Sequence, residues 1–365
     1  MMENGKTTEV MTMTEKKKSS LWDKLCVVLG ILIGVVAAAL IAGRMYLILP
    51  VTNYYTASEK AFAIPGLSDD FVPQGLCYDE AAGVFLTTGY QKDHTASPIW
   101  AVNKDSQESR KVVLEAPDGS DFTGHAGGLS VLGNYVYVAG GDDNCLYVYS
   151  RDDVLEADDG ARVKCLGTFD TYFGRHDGLC IAFTTAHDGR LTVGEFYRDP
   201  NYLTPDSHKF TSPSGDYLQA LAVTYEASDG ANAVFGLRPV PVEAYALPDL
   251  VQGMAFHDGD IWLSTSYAVA FSGIYAYEQA GLQKMGTLPV EGGEMPLYAL
   301  DSAAMTARCQ LPPMSEEIEF VDGRMYTMCE SASNQYIFGK LTGGKWCYAT
   351  DMDKMKNQLR QPTAE

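Results

Sequence analysis

A short unit recurs five times along this chain, and a chain of recurring units is confined to stacked arrays, solenoids or closed rings. Each copy reads as a turn, a polar residue, a glycine and an apolar strand. A tight turn, a second strand, a polar loop and a third, aromatic strand follow. The first copy runs Pro73, Gln74, Gly75, Leu76, then residues 83–90 and 97–102. The second runs Ala126, Gly127, Gly128, Leu129, then 134–141 and 144–150. The third runs His176, Asp177, Gly178, Leu179, then 189–196 and 217–226. The fourth runs Val251, Gln252, Gly253, Met254, then 259–266 and 272–278. The fifth runs Ser315, Glu316, Glu317, Ile318, then 323–330 and 334–340.

Alternation such as Tyr135, Val136, Tyr137, Val138 is that of a strand packed on both faces. Asp188-Gly189, Asp258-Gly259, Asp322-Gly323 and Gly133-Asn134 are hairpin turns joining the first two strands of a copy. A later apolar stretch, at 110–114 or 162–169, supplies an outer fourth strand. Units of roughly 50–75 residues with four strands each are propeller blades. The expected fold is therefore all-β, a β-propeller of four-stranded blades with five blades, six being the alternative, preceded by one N-terminal transmembrane helix. Insertions are expected at 198–215 and around 290–306. Residues 61–65 are expected to pair with the last blade, because an open ring leaves an exposed strand edge.

Residues 25–43 carry no charge, and at 1.5 Å per residue they nearly cross a hydrocarbon core of about 30 Å. Residues 45–49 extend the helix, Arg44 reaches for the interface and Pro50 ends it. Five lysines precede this run and only Arg44 follows closely, which predicts the N-terminus inside the cytoplasmic membrane and the rest outside. A 24-residue leader is long for a cleaved signal peptide, so an uncleaved signal-anchor is expected. The expected organisation is a disordered cytoplasmic tail (1–24), a signal-anchor helix (25–49), a spacer (50–60), the propeller (61–350) and a C-terminal tail (351–365).

The formal net charge is −20, and residues 1–44 hold six basic against four acidic side chains, which leaves −22 for the remainder. Such a domain repels phosphate backbones, so nucleic acid is excluded as a partner. Small molecules, glycans or envelope proteins remain. Seven of the eight cysteines lie beyond the apolar run, and no C-x-x-C pair occurs. Most are expected as buried thiols, with Cys77 and Cys180 at matching places in two copies. Cys145 and Cys165 are the one pair expected to reach each other across neighbouring strands.

The Gly-anchored units across residues 66–345 resemble the bacterial extracytoplasmic β-propellers that include the gluconolactonase and strictosidine-synthase-like proteins. That resemblance implies the blade architecture, whose motifs are shared by binding proteins, lactonases and inert scaffolds. The calcium-binding Glu, Asn and Asp set of the lactonases finds no matching positions in this sequence.

In a propeller the loop entering the innermost strand and the loop leaving the second strand share one face. That rule selects Gln74, His125, His176, Asp177, Gln252, Glu316 and Glu317 on entering, and Tyr90, Asp142, Glu195, Tyr197, Ser266, Tyr267, Glu330 and Ser331 on leaving. The axial ring candidates for ligand binding are Gln74, His125, His176, Asp177, Glu195, Gln252, Ser266, Glu316 and Glu330. One reading is a divalent-cation or general acid/base site, since carboxylates crowded at one axis raise each other's pKa unless a cation sits among them. The other is that these side chains cap strands and bind neighbouring blades. Gly339 to Lys345 has part of a phosphate-loop spacing, but Trp346 stands where Ser or Thr belongs and a hairpin turn is expected instead. No G-x-S-x-G or H-E-x-x-H motif occurs. The sequence thus predicts a membrane-tethered ligand-binding or scaffold propeller, the alternative being a metal-assisted hydrolase or lactonase using axial carboxylates and histidines.

Overall fold

In the computed structural model, which describes residues 20–141, 143–173 and 178–359, Leu21–Ile48 form a single helix with no buried residue. Ser20 caps it: its hydroxyl accepts from Asp23 N at 3.1 Å, and Asp23 Oδ2 accepts from Ser20 N at 2.8 Å. Twenty-eight residues span about 42 Å, enough to cross a hydrocarbon core with a turn to spare at each end. Helix and propeller are separate compact units, dividing after Tyr46.

Beyond the helix the chain is a five-bladed propeller. Blade 1 consists of Phe71–Asp79, Val84–Gln91, Pro98–Asn103 and Ser109–Leu114. Blade 2 consists of Leu129–Leu132, Tyr135–Ala139, Cys145–Ser150 and Cys165–Asp170. Blade 3 begins with Ile181–His187, Arg190–Glu195, Ala220–Glu226 and Glu243–Leu247. Blade 4 is Val251–His257, Asp260–Thr265, Ser272–Glu278 and Met305–Leu311. Blade 5 takes Ser315–Val321, Arg324–Cys329 and Trp346–Thr350, and its outer strand is Ser58–Ala63 from the far end of the domain. The innermost strands neighbour one another in a closed circle, blade 5 beside blade 1, so no gap remains for a sixth.

Ring closure by Ser58–Ala63 satisfies the edge that blade 5 would otherwise expose. Residues 50–60, expected as a spacer, instead carry the short helix Thr52–Ala57 and the start of that strand, with Val51, Tyr54 and Ala57 buried. The C-terminal helix Met352–Leu359 buries Met352 and Met355 in the same cluster as Tyr54. Ser58 lies opposite Thr350, near the Asp322-Gly323 hairpin, so the chain enters the propeller at the face carrying the first hairpin turns.

Several details depart from expectation. The stretch 162–169 is not one strand: Arg162–Val163 runs parallel to Ser109–Leu114 of blade 1, and Cys165–Asp170 completes blade 2. The insertion near 290–306 contributes a hairpin, Lys284–Val290 and Gly293–Ala299, that widens blade 3 to six strands. Residues 334–340 are not the third strand of blade 5; that strand is Trp346–Thr350, and Phe338–Leu341 make a 3-10 turn. Cys145 and Cys165 do not meet, because the register sets Cys145 opposite Asp170 and Cys165 opposite Tyr149.

The third copy is also out of frame. Strand pairing puts Phe183 opposite Gly194, as Gly75 lies opposite Thr88 and Gly253 opposite Ser264. Phe183, not Gly178, therefore holds the glycine's place in blade 3, and Thr185 rather than Cys180 matches Cys77. The glycine has moved to the partner strand: a Cβ on Gly194 would lie 2.1 Å from the Phe183 ring.

Candidate functional site

The axis is built from glycine and one carboxylate. A Cβ on Gly128 would lie 2.7 Å from Phe183 Cα, and one on Gly253 would lie 2.7 Å from Glu317 Cα, so bare backbone lets the innermost strands approach closely. Glu317 stands where the other blades have glycine or Phe183, and its side chain crosses the axis. Its Oε2 accepts from Leu76 N at 2.7 Å and Leu129 N at 3.3 Å, and its Oε1 accepts from Thr184 N at 3.2 Å. One carboxylate on blade 5 thus clasps backbone amides of blades 1, 2 and 3. It is 1% exposed; burial drives its pKa well up, and the three N–H donors pull it back.

Above the clasp, each innermost strand except that of blade 2 has a register irregularity: between Pro73 and Gly75, Ile181 and Phe183, Val251 and Gly253, and Ser315 and Ile318. A bulge re-aims the extra side chain. Gln74, Gln252 and Glu316, expected in entering loops, are these bulged strand residues. In blade 1 the Gln74 amide Nε2 donates to Glu330 Oε2 at 2.8 Å, and its Oε1 meets His125 Nε2 at 3.0 Å. The His125 ring stacks on Tyr90 at 4.7 Å, and the Tyr90 and Tyr336 hydroxyls lie 3.4 Å apart.

Glu316 is 2% exposed and its Oε1 has no hydrogen-bond partner. Burial, then the Glu330 and Glu317 carboxylates, push its pKa well above the usual carboxylate range. Burial pushes Glu330 up to about 8, against a lowering by Gln74. Four of the nine ring candidates, Gln74, His125, Glu316 and Glu330, therefore converge at one end of the axis.

Two others serve elsewhere. Glu195 is fully buried and accepts from Leu221 N at 3.0 Å and Cys180 N at 3.3 Å, with His208 Nδ1 at 2.9 Å. His208 comes from the insertion, in the 3-10 turn Asp206–His208, and the pair pins that insertion to blade 3. Ser266 accepts from the Ser272 hydroxyl at 3.0 Å, and Ser272 Oγ accepts from Ser315 N at 3.0 Å, which ties blade 4 to blade 5. Gln252 is half-buried at its bulge. His176 and Asp177 lie outside the described residues. Among the described residues no three His, Cys, Asp or Glu side chains are placed to hold a metal ion.

Sequence reasoning missed Tyr336 and His208. Tyr336 fell in a stretch read as strand, and His208 in an insertion without pattern. A lone histidine inside a long insertion was the available signal for the second.

No protein family matches this sequence, and no curated protein does. Solved structures match in shape only loosely. Aldose sugar dehydrogenase of Streptomyces coelicolor in its PQQ-bound form is 15% identical with a TM-score of 0.38, covering 74% of this chain and 76% of its own. An oxidoreductase described as a glucose dehydrogenase from Thermus thermophilus is 12% identical with a TM-score of 0.39, covering 80% and 98%. BamB from Moraxella catarrhalis is 10% identical with a TM-score of 0.30, covering 70% and 80%. The architecture assigned to this chain rests on its own strand order.

Proposed function

We propose that this chain is a membrane-anchored ligand-binding propeller, held outside the cytoplasmic membrane by its N-terminal helix. The observation that carries the reading is the Gln74, His125, Glu316 and Glu330 cluster, where a buried carboxylate oxygen is left without a partner. A fold that optimised stability alone would not keep an unsatisfied buried acceptor beside a second carboxylate.

Exposed apolar side chains support the same face. Beyond residue 57, the described large apolar residues more than half exposed are Tyr172, Tyr202, Leu203, Tyr217, Val269 and Ile337. All lie in segments that link one blade to the next or leave a second strand, hence around the cluster. The chain enters the propeller at the opposite face. Lysines before the apolar run and their scarcity after it favour the inside-to-outside orientation. Metal-assisted hydrolysis draws less support, because Glu195 and Glu330 are held by separate sets of partners.

A thiol-labelling scan tests the placement, with single cysteines introduced at exposed positions of the full chain in intact cells. Labelling of Tyr202→Cys by a membrane-impermeant maleimide supports the orientation. Labelling only after lysis refutes it.

A further inference from the structure

Resting on that binding reading, we propose that the axial cluster takes a primary ammonium group, its N–H bonds donated to Glu316 and Glu330 and its carbon chain laid against Tyr90 and Tyr336. The first support is stoichiometric. Glu330 spends one oxygen on Gln74, while Glu316 Oε1 is buried and receives nothing, so the pair has acceptor capacity, and among the described residues no cation bonds to it. An ammonium offers three N–H donors and no acceptor, which matches two neighbouring carboxylates.

The second support is the surround. The Tyr90 ring lies on His125, Tyr336 meets Tyr90 hydroxyl to hydroxyl, and Tyr202 in the insertion is close enough to weigh on the acidity of Tyr336. Tyrosine faces stabilise a cation and the methylenes that carry it. Two lysines, Lys92 and Lys340, are engaged with Asn334, Lys92 Nζ on its O at 3.2 Å and Lys340 Nζ on its Oδ1 at 2.7 Å. The clasp of Glu317 closes the axis beneath the cluster.

Among the described residues, the titratable groups facing the pair are Glu317 below it, His125 and Tyr90 from the blade 1 side, and Tyr336 and Cys329 from blade 5. Raised carboxyl pKa values mean that an ammonium must displace protons, so its affinity rises with pH while the amine stays charged.

The experiment is calorimetric titration of the full-length chain in lipid nanodiscs. The probes are putrescine against butanediol, and Nα-acetyl-lysine amide against its norleucine counterpart. The first arm reports a free amine and the second a lysine side chain. The expected result is binding of a charged probe with proton release, at least about tenfold tighter near pH 8 than near pH 6. Glu316→Gln should weaken it about tenfold or more and flatten the pH dependence; Glu330→Gln reports the same if the first variant fails to fold. A pH dependence that survives both substitutions belongs to another group and overturns the assignment. Equal binding of the uncharged counterparts overturns the ammonium while the binding reading stands. Binding of neither class overturns both.

Discussion

Glu316 and Glu317 are adjacent in sequence, nearly equal in burial, and opposite in circumstance. Glu317 points across the axis and collects three backbone N–H groups from three blades. Glu316 sits in the bulge above it, with one oxygen unpartnered and Glu330 for a neighbour. The difference teaches that burial of a carboxylate does not mark function; what matters is whether the fold satisfies it. Glu317 belongs to the architecture. Glu316 is a cost that the fold carries, which is the physical ground for placing a ligand there.

Removing the clasp should give the largest effect. Glu317→Ala strands three backbone donors near the axis and is expected to destabilise the propeller by about 3 kcal/mol or more, read by thermal or denaturant unfolding. An unchanged midpoint would make the clasp an accident of packing and erase the contrast.

His208→Ala comes next. It leaves Glu195 buried with only the Leu221 and Cys180 amides, at an expected cost of about 2–3 kcal/mol, and frees the insertion. Increased proteolysis within 198–215, with the rest of the propeller protected, is the accompanying sign. Global unfolding without local nicking would mean that the pair braces the blade and not the insertion.

The last effect concerns pH. Burial pushes the Glu330 carboxyl up to about 8 in the folded chain, against about 4.3 for an unperturbed glutamate. A carboxyl with a raised folded-state pKa holds its proton more tightly when folded. Its stabilising contribution is complete below about pH 4.3 and is lost as pH climbs towards 8. The ligand-free protein should therefore melt lower near pH 8 than near pH 5, by about 2 °C or more. Glu330→Gln should reduce that slope, and a slope unchanged by the substitution would place the titrating group elsewhere.

Much of this was legible in the sequence. Glycines at 75, 128 and 253 marked innermost strands because close approach at the axis tolerates no side chain. Asp-Gly hairpins fixed the second strands, and an open edge demanded a closing strand from the N-terminal side. Blade 3 was not legible in frame. His176-Asp177-Gly178-Leu179 mimics the unit, whereas the strand that reaches the axis uses Phe183 and shifts its glycine to Gly194. Tyr336 escaped because residues 334–340 have the aromatic alternation of a strand, yet the chain turns there and the strand forms at Trp346–Thr350. The division of labour between Glu316 and Glu317 depends on a bulge, and a bulge is a property of pairing between strands that no local pattern declares.

Hydrogen exchange at three amides tests the centre of this account most directly. Leu76, Leu129 and Thr184 lie in three different blades and share one acceptor. All three should exchange slowly in the native chain, accelerate together in Glu317→Gln, and stay slow in Glu316→Gln. Independent responses of the three, or equal acceleration by the Glu316 substitution, would contradict a ring drawn shut by a single carboxylate.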